Sequence, residues 1–159
     1  AVGAPGRNSQ RGGGYVFRRT GNTLAQVAVL APDTASGVNQ AGASVAVNAT
    51  TVLLGAPESS GTSGTGSAVS TAGAVAVFRR FDGNWTGDLA QDAVLALAGA
   101  NFGDRFGLSV AATASGVAVG APFVDAAPVE GPVLNDYGIV VPYRNVALFA
   151  DGFEPPPAP

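Results

Sequence analysis

The chain has 159 residues, 47% hydrophobic and 12% charged, with 23 Gly and a formal net charge of -3. It is too apolar for a disordered chain and too poor in Glu, Lys and Leu for a helical one, so an all-β fold is expected. With no Cys, no His and eight basic residues that are all Arg, disulfides, thiolate nucleophiles and the usual zinc sites are excluded, and no broad basic surface is left for a nucleic-acid backbone.

In chain order, Gly3-Ala4-Pro5 is the first instance of a motif that returns at Gly55 to Pro57 and at Gly120 to Pro122. Val16-Phe17-Arg18-Arg19 precedes LAQVAVLAP, Leu24 to Pro32, where the Pro would stop a helix early and so favours a strand. AGASVAVNATTVLLGAP, Ala41 to Pro57, reads as two short Val- and Ala-rich strands around a hairpin turn. A Gly- and Ser-rich loop follows. GAVAVFRR, Gly73 to Arg80, alternates small and large side chains in the manner of a third strand. Asp82-Gly83-Asn84 is a hairpin signal leading into Trp85 to Leu97, the expected fourth strand with its approach. FGLSVAATASGVAVGAP, Phe106 to Pro122, repeats the two-strand unit, and DGFEPPPAP ends the chain as an extended, mobile tail.

The repetition is regular. Gly42 and Gly107, Ser44 and Ser109, Val45 and Val110, Gly55 and Gly120 are each 65 residues apart, while Val16 to Arg19 matches Val77 to Arg80 at an offset of 61. A period of roughly 50 to 65 falls in the range of propeller blades and solenoid repeats, and four strands per copy is the make-up of one blade. The expected architecture is therefore a partial β-propeller of four-stranded antiparallel blades, about two to three of them: an incomplete first blade over 1–31, a complete blade over 32–97, a final blade over 98–147 and a tail over 148–159. Small residues in GASVAV and GLSVAA suit innermost strands crowded round an axis. Phe17, Phe78, Trp85 and Leu89 are expected between blade faces, each burial contributing about 1.5 to 3 kcal/mol.

Phe106-Gly107, Ser109-Val110-Ala111, Gly120-Ala121-Pro122 and the Gly-x-Val-x-Val-Phe strand together resemble the FG-GAP repeat of integrin alpha-subunit propellers and of many bacterial secreted proteins. The resemblance runs to about Tyr143. It implies a propeller, typically seven-bladed, often extracellular, used for ligand binding and adhesion. Calcium-binding members carry an acidic loop in the hairpin between the FG and GAP elements. Here those hairpins are VNATT, Val47 to Thr51, and ATASG, Ala112 to Gly116, with no carboxylate. No Ca²⁺ is therefore expected at that position, since a hard cation needs charged oxygen ligands. Ala41 also stands where the later copy has Phe106. The final ALFADGFE resembles a short C-terminal segment of exported bacterial proteins, and the remaining blades are expected from a longer parent chain.

Strand parity locates a candidate surface. In a four-stranded up-and-down unit the loops after strands two and four share one rim, and here those are the long ones: Pro5 to Gly13, Ala31 to Ala41, Glu58 to Ala72, Gly99 to Arg105 and Phe123 to Tyr137. Binding is commonly grafted on long loops above a rigid scaffold. The candidate contact residues are Glu58, Asp104, Arg105, Asp125 and Glu130, with a protein or glycan as ligand. Solvated loops without a binding role are the plainer reading of the same residues. The Arg pairs Arg18-Arg19 and Arg79-Arg80 fall on the opposite, short-turn rim, within reach of an anion or a neighbouring carboxylate. GTSGTG, Gly61 to Gly66, lacks the Lys and following helix of a phosphate loop. Asp88 and Asp92 show no sign of forming a catalytic carboxylate pair, so a non-catalytic, cofactor-free module at the cell surface or outside the cell is expected. The apolar runs are much shorter than the ~20 residues a membrane-spanning helix needs. The alternative expectation is a structural segment that only supports another domain.

Overall fold

The computed structural model describes residues 1–33, 40–125 and 135–144, and the all-β expectation holds for them. Thirteen strands form four sheets. In the first sheet β1 (Val2–Gly3), β2 (Gly14–Thr20) and β3 (Thr23–Ala31) are antiparallel neighbours. The second runs in the order β10-β8-β5-β4, built from β4 (Ser44–Val47), β5 (Thr51–Ala56), β8 (Ala74–Arg79) and β10 (Ala93–Leu95), all antiparallel. The third consists of β11 (Ser109–Ala112), β12 (Gly116–Ala121) and β13 (Ile139–Arg144). None of these sheets closes on itself.

Side-chain alternation explains how the three sheets stack. On β5 and β8, Val52, Leu54, Ala76 and Phe78 pack with Ala28, Leu30 and Trp85 in one cluster toward the first sheet. Their sequence neighbours Leu53, Val75 and Val77 join Leu95, Phe106, Val117, Val119 and Tyr143 in a second cluster toward the third sheet. Both faces of the middle sheet are thus covered. This is why TVLLGA and AVAVF carry no polar alternation: a strand buried on both sides reads as a continuous apolar run. Phe106 meets Tyr143 edge to face, with ring centroids 6.5 Å apart, the arrangement that aromatic quadrupoles favour.

The repeat is also written in the backbone. Gln10, Thr71 and Asp136 occupy the left-handed region at φ 69, 51 and 53, and two positions later Gly12, Gly73 and Gly138 do the same at φ 84, 86 and 73. Gln40 and Arg105 form another matched pair at φ 57 and 51. Successive copies are tied by matched hydrogen bonds: the Gln40 and Ala41 amides donate to the Gln10 and Arg11 carbonyls at 2.7 and 3.2 Å, as Arg105 and Phe106 do to Thr71 and Ala72 at 3.1 and 2.9 Å.

Three expectations need correction. The segment Trp85 to Leu97 is a strand region, but it divides: Ala93–Leu95 is the fourth strand of the second sheet, while β9 (Gly87–Ala90) crosses over and pairs in parallel with β3. The first sheet is consequently mixed, and Leu89 packs on the cluster between the first two sheets. The Glu58 to Ala72 loop contains a small hairpin of its own, β6 (Gly61–Thr62) with β7 (Ala68–Val69). Phe17 does not fill an interface like its counterpart Phe78, because it is 38% exposed on the side of β2 that no described sheet covers. The C-terminal tail lies outside the described residues.

Candidate functional site

Glu58, Arg105 and Phe123 come together from three loops that the parity argument assigns to one side of the strands. Glu58 follows β5, Arg105 precedes β11 and Phe123 follows β12. The Arg105 guanidinium lies 3.5 Å from Glu58 Oε1 through Nη2, and its Cζ sits 5.5 Å above the Phe123 ring centroid. An exposed pair of this kind contributes about 0.2–1 kcal/mol, so it orients the loops more than it stabilises the fold. The Arg105 backbone is fixed independently by its amide donating to the Thr71 carbonyl at 3.1 Å and by the Leu108 amide donating to its own carbonyl at 3.0 Å. Its positive φ belongs to the repeat, since Gln40 shares it.

The other candidates part ways. Asp104, expected at the surface, is 2% exposed and accepts the Asn101 amide at 2.7 Å through Oδ2. It closes its own loop, and a buried carboxylate engaged in this way presents nothing to a ligand. Asp125 is exposed and accepts the Asp136 amide at 3.0 Å, while the Gly138 amide donates to Val124 at 3.0 Å, which staples the two ends of its loop together. Glu130 lies outside the described residues.

Aromatic side chains on the same loops were not among the sequence candidates. Phe102 is 76% exposed and Tyr137 67%, and Tyr137 adjoins the Asp125–Asp136 staple. Arg7, on the first long loop, lies with its Cζ 5.5 Å over the Tyr15 ring, and its buried Nη1 has no hydrogen-bond partner among the described residues. The signal was legible: bulky aromatics placed among Gly, Asp and Pro, outside any alternating strand, have no core to fill.

Among the described residues, polar groups at the other ends of the strands bond to the scaffold itself. Arg80 Nη1 pairs with Asp92 Oδ2 at 3.3 Å, and the same oxygen accepts the Arg79 amide at 2.6 Å. Arg19 Nε donates to the Gly21 carbonyl at 2.9 Å. In the hairpin between β4 and β5, Asn48 Oδ1 accepts the Thr50 and Thr51 amides at 3.1 and 2.9 Å, and Nδ2 reaches across to the Thr113 carbonyl of the next hairpin at 2.8 Å. Among the described residues no three acidic side chains converge as a metal site would require. Burial pushes the Tyr143 phenol up to about 12, and the ring lies in the apolar cluster between sheets. No described helix is long and apolar enough to cross a membrane.

No protein-family model matches the chain, and no curated protein is significantly similar to it.

Proposed function

We propose that the chain is a segment of an FG-GAP-type β-propeller, exported or displayed at the cell surface, that binds a protein or glycan along its long-loop rim without catalysing a reaction. The observation that carries this reading is the convergence of Glu58, Arg105 and Phe123 from three separate loops onto one patch. Face-to-face stacking of consecutive sheets through two apolar clusters supports the blade arrangement. Arg and aromatic residues are the side chains that most often anchor protein interfaces, and here they stand on loops held by rigid strands. No metal or cofactor takes part in this reading.

The test is retention of the chain on cell-surface protein extracts and on glycan panels. Because Phe102 and Tyr137 are exposed, replacing both by Ala is expected to leave the circular dichroism spectrum intact and to change stability by no more than about 0.5 kcal/mol each. Affinity is expected to fall at least about tenfold. If retention survives replacement of Glu58, Phe102, Arg105 and Tyr137 together, the chain is instead a structural segment supporting another domain. One observation favours that second reading: Glu58 and Arg105 already satisfy each other.

A further inference from the structure

The junction between sheets occurs twice in this chain, and the third sheet presents the same junction surface a third time. At the second occurrence the amides of Arg105 and Phe106 bind the carbonyls of Thr71 and Ala72, Ser44 Oγ donates to the Gly107 carbonyl at 2.7 Å, and Gly55 lies against the Gly107 backbone with no room for a side chain. Val75, fully buried, packs toward the incoming sheet. Sixty-five residues on, each receiving group has a counterpart: Asp136 and Tyr137 for Thr71 and Ala72, Ser109 for Ser44, Gly120 for Gly55 and Val140 for Val75. The Asp136 and Gly138 backbones hold the left-handed conformations of Thr71 and Gly73. Among the described residues nothing takes the Asp136 and Tyr137 carbonyls or the Ser109 hydroxyl, and Val140 is 70% exposed.

We infer that the outer face of the third sheet is a socket for an extended segment of the form Phe-Gly-x-Ser, recognised in trans by main-chain hydrogen bonds. Two amides of the segment bond to the Asp136 and Tyr137 carbonyls, its Gly carbonyl accepts from Ser109, and its Gly allows the backbone approach that Gly107 makes at Gly55. The main chain supplies affinity and the small residues supply selection, as in other cases of strand-like peptide capture. A second copy of this chain does not fit, because both of its segments of this kind, Gln40 to Ser44 and Arg105 to Ser109, are already engaged with its own preceding sheets. The occupant is therefore a segment of repeat type that is not engaged with a sheet of its own. This inference stands on the duplicated junction and does not depend on ligand binding at the loop rim.

The probe is a labelled synthetic peptide of sequence NFGDRFGLSVAA, residues Asn101 to Ala112, titrated against the full chain and followed by fluorescence anisotropy. Saturable binding is expected, weakened at least about tenfold by Gly107→Val in the peptide and to a similar extent by Val140→Glu in the chain. Since Val140 is exposed, the circular dichroism of V140E is expected to match the parent. A Ser109→Ala chain tests the hydroxyl separately and is expected to weaken binding less. The inference is overturned if no saturable binding occurs, if the Gly107→Val peptide binds equally, or if V140E binds as well as the parent. Self-association of the chain that excludes the peptide overturns it too, by making a second copy the occupant.

Discussion

Gly55 and Gly107 stand where the backbones of two sheets touch, and the sequence has no freedom at that point. A Cβ on Gly55 would be driven into the Gly107 carbonyl oxygen, with Ser44 Oγ crowding it from the side. Relief would require moving the main chain of the third sheet, since a carbonyl cannot rotate away as a side chain can. Gly55→Ala is therefore expected to cost at least about 2 kcal/mol, read as a lowered urea midpoint. By contrast, a Cβ on Gly21, in the turn between β2 and β3, would meet no atom within 4 Å, and its φ of 60 leaves only the left-handed backbone penalty of about 1–2 kcal/mol. Position within the repeat does not fix a residue's role. Phe17 and Phe78 share a repeat position, yet Phe78 is fully buried and Phe17 is not, because only one of them has a described sheet on its side.

Among the elements, β9 is the least expected and the most informative. It leaves the second copy, pairs with β3 from Ala28↔Gly87 to Ala31↔Ala90, and the chain then returns to place β10 on β8. The first two sheets are thus laced by main-chain bonds in addition to their shared apolar cluster. Leu89→Pro removes an amide donor and strains the ladder, so a loss of about 1–3 kcal/mol is expected. Amide hydrogen exchange distinguishes this lacing from packing alone. Protection is expected to fall along Ala28 to Ala31 while β11 to β13 keep theirs. Equal loss in all three sheets would show that β9 acts only through general stability.

The described sheets form a stack whose middle sheet is covered on both faces, and a titratable phenol lies in its inner interface. Tyr143 packs on Phe106 between the second and third sheets. Burial raises its phenol from 10.0 to about 12, so the folded state favours the neutral form. Below pH 10 the phenol is neutral both folded and unfolded, and its contribution to stability is complete. As pH rises from 10 toward about 12 the unfolded chain ionises first, and stability falls across that window. A series of urea melts from pH 8 to 12 is expected to show the fall, with Tyr143→Phe flattening it; an unchanged profile in Y143F would assign the loss to other groups. At this scale the stack also accounts for the meeting of Glu58, Arg105 and Phe123. Loops from different copies meet only because the sheets beneath them are held face to face.

The repeat, the strands and the turn positions were legible in the sequence because each depends on residues within a few positions of one another. Small side chains at fixed offsets, a Pro ending a ladder and Gly where φ is positive are local requirements, and they recur at the same spacing. Several outcomes were settled only by tertiary contacts. Asp104 looked like its exposed acidic neighbours until its loop folded inward and turned it into a cap for Asn101. The parallel pairing of β9 followed from which neighbouring edge stood open, a fact no local pattern encodes. Likewise, Arg105 faces Glu58 and Phe123 because stacking brings together loops that are 47 and 18 residues away from it. Sequence set what each segment prefers by itself; packing between sheets decided which segments meet, since that choice depends on surfaces that exist only after the strands have paired.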